Sequence, residues 1–143
     1  MAEFFIDSNI FIETIKAEGL KEAKEIWNEI LRSYLKFRFF INLIVKNEVI
    51  FHLYTKRKLI SFSELKNLLE SFSSLELCSE VENLSLSMIE KHKLKPNDAI
   101  ILSTCKYYGI PYLISLDSDF EKPCKEEGVR LISSPEELKE ALS

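Results

Sequence analysis

The chain has 143 residues, enough for one compact domain with a sizeable core and too few for two ordinary ones. Apolar residues make up 46% and charged residues 29%, a globular composition that excludes a disordered chain. The formal net charge of -4 carries no global basic signature, so composition gives no argument for a nucleic-acid partner and leaves a local basic patch open.

Glu3 to Ile6 is a short apolar run that stops at Asp7-Ser8-Asn9, which reads as a buried strand followed by a loop or helix start. Ile10 to Lys16 gives a short helix, closed near Gly19. From Leu20 to Leu35 the apolar residues Leu20, Ala23, Ile26, Trp27, Ile30, Leu31 and Tyr34 recur at helical spacing, with charges between them, and predict an amphipathic helix. Phe37 to Ile41 is aromatic and β-rich, a second strand. Asn42 then caps a helix running through Glu48 to about Thr55.

Ser61 or Ser63 caps a further helix, Glu64 to about Phe72, and Leu75-Glu76-Leu77 is expected as a third, short strand. Val81 to Lys91 is helical by pattern. Lys95-Pro96-Asn97-Asp98 opens a helix with Pro in its first turn, apolar on one side through Cys105 and closed by Gly109. Tyr112-Leu113-Ile114 is the fourth strand and Val129-Arg130-Leu131 the fifth. Ser134 caps a terminal helix with Pro135 in its first turn. Short strands alternating with helices imply an α/β fold: one domain over 1–143, with a central parallel sheet of about five short strands flanked by helices on both faces. No repeat, low-complexity segment or linker interrupts it.

Cys78, Cys105 and Cys124 are an odd, sparse set without C-x-x-C spacing, which is expected of free thiols in a reducing cytosol. Glu3 and Asp7 interrupt the place where a secretory signal needs apolar residues. The most apolar stretch, 37–45, is too short to span a bilayer and contains Arg38 and Asn42. The expectation is a soluble, cytoplasmic protein with no membrane partner.

The acids carry the chemistry. Asp7 and Asp117 each sit just past a short apolar strand, and open α/β sheets bind ligands outside the carboxyl ends of their strands. Asp98 lies in the first turn of the helix leading into the fourth strand, so it starts at that same rim. Glu48 shares its helix with Ile44, Val45, Phe51 and His52, a pattern that can turn it towards the sheet. Each acid alone has an ordinary reading: Asp7 as a helix cap, Asp98 as a complement to a helix dipole, Glu48 as a solvated helix residue, Asp117 and Asp119 as turn formers. Taken together without a cation they would repel and raise one another's pKa, and a hard divalent ion reverses that cost.

The segments Phe5-Ile6-Asp7-Ser8-Asn9-Ile10-Phe11, Asn42 through Asn47-Glu48-Val49, Asn97-Asp98-Ala99-Ile100-Ile101 and Leu113-Ile114-Ser115-Leu116-Asp117-Ser118-Asp119-Phe120 stand in an order that resembles the PIN domain, and within it the VapC-like ribonucleases of toxin–antitoxin pairs. The resemblance covers essentially the whole chain. The first and last segments are its most specific parts, and the Glu48 segment the least. It implies that Asp7, Glu48, Asp98 and Asp117 are catalytic and hold one or two Mg²⁺ or Mn²⁺ ions. Ser8, Asn9, Ser115 and Asp119 support them. It further implies an RNA substrate, a VapB-type antitoxin partner and a homodimer. The stretch from Lys56 to Val81 maps onto no substrate or partner site.

Lys56-Arg57-Lys58 and Lys91-His92-Lys93-Lys95 are candidate RNA contacts, with ordinary solvated helix ends as the favoured alternative. His52 and His92 lack zinc-ligand spacing with the cysteines. Phe37, Phe39, Phe40 and Trp27 follow a buried pattern, in the core or a dimer interface. Within the resemblance, the runner-up is an RNA-processing or quality-control nuclease without an antitoxin. A non-catalytic binding domain on the same fold is a second class. A phosphatase using Asp117-x-Asp119, or a phosphorelay receiver, is disfavoured because both want their acidic motif early in the chain.

Overall fold

A computed structural model describes residues 2–143. At its centre is β1 (Glu3–Ile6), whose Phe4, Phe5 and Ile6 are fully buried. An unbroken apolar run of this kind suits a parallel strand covered on both faces. It is followed by α1 (Ser8–Ile15), α2 (Lys21–Ser33), β2 (Arg38–Asn42), α3 (Leu43–Ile50), a π-helical turn at Phe51–Thr55 and α4 (Phe62–Glu70). Then come β3 (Ser73–Leu75), α5 (Ser79–His92), α6 (Pro96–Tyr108), β4 (Tyr112–Ile114), a 3-10 turn at Ser118–Phe120, α7 (Glu121–Glu127), β5 (Arg130–Ile132) and α8 (Pro135–Leu142).

All four pairings are parallel, and the strand order is β3-β2-β1-β4-β5. The chain thus walks outward from β1 to β3, crosses back over the sheet and walks outward again from β4. Crossovers between parallel strands are right-handed, so the two directions of travel put their helices on opposite faces. Between β1 and β4 the direction reverses, and at such a switch point the flanking loops part to leave a crevice at the carboxyl ends.

The register stacks aromatic rings across the three central strands. Phe4 is level with Phe39 on one side and Tyr112 on the other. Its ring stacks on both, with centroids 5.3 and 4.9 Å away, and Phe37 meets it edge-on. Trp27 packs with Phe11 and Phe72, and Phe37 and Phe40 are half-buried against the same core. At the end of α1, a Cβ on Gly19 would lie 1.7 Å from the Glu13 carbonyl oxygen, so only glycine lets the chain fold back there. Gly109, at φ 68°, closes α6 in the left-handed cap expected of it.

The helix expected from Asn42 to about Thr55 changes to a π-helical turn at Phe51, α4 and α5 each start two residues earlier than expected, and further departures bear on the sheet and the site. The third strand is Ser73–Leu75, not Leu75–Leu77: this exposed edge strand is set by backbone pairing to Phe40–Asn42, so serines serve there and apolar alternation misleads. The fifth strand starts at Arg130, because the Val129 N–H bonds back to the Cys124 carbonyl as part of the α7 cap. α1 starts at Ser8, capped directly by the Asp7 carboxylate. The 3-10 turn and α7 have too few residues and too little periodicity to show in the sequence.

No helix among the described residues is long and apolar enough to cross a membrane. Cys78, Cys105 and Cys124 are free thiols, the last two buried. Phe4→Ala removes the ring at the centre of the aromatic stack and is expected to cost about 3–5 kcal/mol in urea unfolding. Leu35→Ala, at a side chain 92% exposed, is expected to change stability by less than about 0.5 kcal/mol.

Candidate active site

Asp7 is the last residue of chain to follow the β1 ladder: its N–H donates to the Ile114 carbonyl at 2.9 Å. The Ser115 N–H extends the next pairing in the same way, to Ile132 at 3.0 Å. The ladder therefore brings two residues 108 positions apart side by side at the switch point. Ser115 Oγ donates to Asp7 Oδ2 at 2.6 Å, and the Ser8 N–H donates to Asp7 Oδ1 at 2.8 Å. Asn9 ties the two strand ends together. Its Nδ2 donates to Asp7 Oδ2 at 3.3 Å and Ser115 Oγ at 3.1 Å, and its Oδ1 accepts from the Leu116 N–H at 3.2 Å.

The other acids gather round this junction. Ser8 Oγ donates to Glu48 Oε1 at 2.9 Å, which links α3 to the start of α1. The Asp117 N–H donates to Ser115 Oγ at 3.1 Å, and Asp117 Oδ1 accepts from the Asp119 N–H at 2.9 Å, capping the 3-10 turn. Asp98, in the first turn of α6, meets Asp117 and Asp119: one carboxylate oxygen from each of the three lies within 4.8 Å of the others. Asp119, read from sequence as a supporting residue, belongs to this converging trio. Asp7 and Glu48 connect to it through hydroxyl hydrogen bonds and through charge. Two of the ordinary readings hold as well, since Asp7 caps α1 and Asp117 caps the 3-10 turn.

The charges are felt. Burial pushes the Asp7 carboxyl up to about 7; the Ser115 and Ser8 hydrogen bonds pull against this, and the charges of Glu48 and Asp98 add to it. Asp98 is raised to about 6, first by burial and then by Asp117 and Glu48, with Lys95 opposing. Among the described residues, none of these five carboxylates is in an ion pair with Lys, Arg or His. Oxygen donors that converge, repel and lack a protein cation form a set suited to a hard divalent ion.

One positioning pair is absent from the sequence reading. Asn42 caps α3 by accepting from the Val45 N–H at 3.1 Å, as expected, but its Nδ2 also donates to Thr104 Oγ1 at 3.0 Å. That buried bond joins the helix carrying Glu48 to the helix carrying Asp98. Thr104 sits inside an apolar run, and nothing in its sequence context signals a partner 62 residues away.

The basic runs divide. Lys56 is exposed, Arg57 pairs with Glu18, and Lys58 lies over the Tyr54 ring, as solvated helix-end residues do. Lys91 and His92 are engaged by Glu127 at 2.8 and 2.7 Å, and the His92 Nδ1 faces Glu126 at 3.2 Å.

A carboxyl whose pKa is raised on folding favours the folded state fully below its unfolded value and loses that advantage as pH rises through its folded value. For Asp7 the window runs from 3.8 to about 7, and the loss is on the order of 4 kcal/mol. The thermal midpoint of metal-free protein, minus that of Asp7→Asn, is expected to fall across this window. Millimolar Mg²⁺ at pH 8 should restore the wild type and not the variant. A difference that is flat or rises with pH would show that Asp7 is not held in this charged, buried state.

The PIN domain model matches residues 4–126. The chain is 34% identical to Ribonuclease VapC2 of Methanocaldococcus jannaschii, covering 84% of this chain and 88% of that protein. It is 32% identical to Ribonuclease VapC6 of the same organism, covering 80% and 92%. Its structure is similar to one solved as a toxin–antitoxin complex from Klebsiella pneumoniae, with TM-score 0.64 and 26% identity over 84% of this chain and 90% of that one. With a family model spanning most of its length, two relatives above 30% identity and the five-stranded parallel sheet described above, the chain belongs to the PIN domain family.

Proposed function

We propose that the protein is a Mg²⁺- or Mn²⁺-dependent endoribonuclease that hydrolyses RNA phosphodiester bonds at the carboxylate cluster, and that it is the toxin of a VapBC-type pair. The observation that carries this reading is the convergence of Asp98, Asp117 and Asp119 at the sheet's switch point, with Asp7 and Glu48 wired to them by Ser115 and Ser8. The names of the M. jannaschii relatives supply the ribonuclease class. The toxin–antitoxin complex supplies the precedent for an antitoxin partner.

Asp98, Asp117 and Asp119 are the residues that would hold the cation, with Asp7 and Glu48 as direct or water-mediated ligands. When bound, a divalent ion supplies the positive charge that draws a phosphodiester into an acidic basin and acidifies a water for attack on phosphorus. The chain's own contribution is placement. Ser115 fixes the rotamer of Asp7 and, by hydrogen bonding to its charged form, keeps the carboxyl from rising further. Ser8 aims Glu48, and Asn9 locks the ends of β1 and β4 in register, so the carboxylates keep their spacing without the substrate. The trio is partly exposed and Asp7 is buried, so the trio is the part of the cluster that solvent reaches.

For the partners, the apolar surface left outside the core supports association. A cleft lined by Phe11, Ile15, Trp27, Ile60 and Leu68 opens beside α1, and Leu31, Leu43, Phe51 and Leu86 are exposed. A homodimer and a VapB-type antitoxin are the occupants this reading assigns to such surface.

Cleavage of single-stranded RNA in Mg²⁺ or Mn²⁺, against EDTA, tests the reaction. Activity is expected with either ion, to vanish in EDTA, and to fall to background in Asp7→Asn and Asp98→Asn. Cleavage that survives both the chelator and the substitutions overturns the proposal. Ser115→Ala is expected to lower kcat/KM by about 10–100-fold, the usual size for a residue that orients a metal-binding carboxylate.

A further inference from the structure

Beside the acidic trio is a cavity of about 240 Å³ bounded by His92, Lys93, Leu94, Lys95 and Asp119. Asp119 belongs to both, so whatever fills the cavity is within one carboxylate of the proposed reacting centre. The five nearby cationic side chains behave differently from one another. Lys91, His92 and Lys106 converge on Glu127, and His92 also faces Glu126. Lys93 and Lys95 are exposed and, among the described residues, form no ion pair, although Asp98 and Asp119 are close by. Lys95 is near enough to Asp98 to act on its charge. Lysines that only offset the acids would sit on them. These two instead line the cavity without pairing, on a three-residue link fixed at both ends. At one end the Glu127 cluster anchors the close of α5, and at the other Pro96 opens α6.

A single-stranded polyanion whose reacting phosphate lies at the trio must place its neighbouring phosphate one nucleotide away, outside the acidic basin. There the acids would repel it unless a cation were supplied. We propose that this cavity receives a non-scissile phosphate of the RNA, held by the ammonium groups of Lys93 and Lys95. The inference rests on the ribonuclease reading for the identity of the polyanion. The Glu127 cluster serves the subsite as its scaffold: it occupies the other cations and leaves two available.

The test compares wild type with Lys93→Gln/Lys95→Gln and with Lys36→Gln, a lysine before β2 at the opposite end of the strands. Binding of a fluorescent single-stranded RNA oligomer, read by anisotropy across a salt series, is measured alongside steady-state cleavage. The double variant is expected to unfold at the wild-type temperature. Its plot of log affinity against log salt is expected to be shallower by about 1.4, since each contact to single-stranded phosphate contributes about 0.7. Its KM should rise with kcat unchanged, and Lys36→Gln should match wild type throughout. A double variant with the wild-type slope and KM overturns the subsite while leaving the nuclease reading intact. An equal loss in Lys36→Gln also overturns it, by showing only general charge attraction. A loss confined to kcat would place the lysines at the reacting phosphate, contrary to the proposal. If wild type binds RNA with this lysine-dependent slope and cleaves none, the nuclease reading fails and the phosphate subsite stands.

Discussion

Five carboxyl groups from four stretches of chain meet at one end of a sheet, and among the described residues none of them is in an ion pair. Mutual repulsion of this kind disperses side chains unless the backbone overrules it. Here the parallel ladder does so: Asp7 and Ser115 are held level by main-chain bonds from β1 to β4 and β4 to β5, and those bonds do not depend on charge. Asp7, almost without access to water, is the residue on which the arrangement turns. Its two oxygens are occupied by Ser8, Asn9 and Ser115, and each of these also touches another part of the site.

Strain concentrated at one end is tolerable because the rest of the sheet is apolar and continuous. Phe4, Phe5 and Ile6 lie immediately before Asp7, so a fully buried apolar strand delivers a buried carboxyl whose charged form is disfavoured. Under the proposed function, a divalent ion bound here would offset that repulsion and so stabilise the folded state. On the proposed reading, stability and function are joined in that one side chain, since the substitution that relieves the fold would also remove a metal ligand.

The flanking surface is organised by the opposite principle. Glu127 collects Lys91, His92 and Lys106 into a compact cluster at the close of α5, while Lys93 and Lys95, two and four residues on from Lys91, form no ion pair among the described residues. Neighbouring basic residues thus differ in their partners, one set bound to Glu127 and the other unpaired beside the cavity that His92 also lines. Charge runs in a sequence do not reveal this division, because it depends on where Glu127 lies, more than 30 residues later.

Much of this was written in local pattern. Apolar runs ending at Asp7 and Asp117, Pro96 opening a helix at Asp98 and Asn42 capping the helix of Glu48 follow from period, caps and turn chemistry, which act over a few residues. So did the parallel α/β fold. Pairing and proximity decided what remained. The edge strand fell on Ser73–Leu75 and not on the more apolar Leu75–Leu77, because a neighbouring backbone chose its register. Asp119 joined Asp98 and Asp117 because a 3-10 turn, invisible to periodicity, brings it towards Asp98. Thr104 met Asn42 across the domain. A sequence fixes which groups are available and where each element begins; only packing determines which distant groups share a space, since that depends on the sum of contacts over the whole chain.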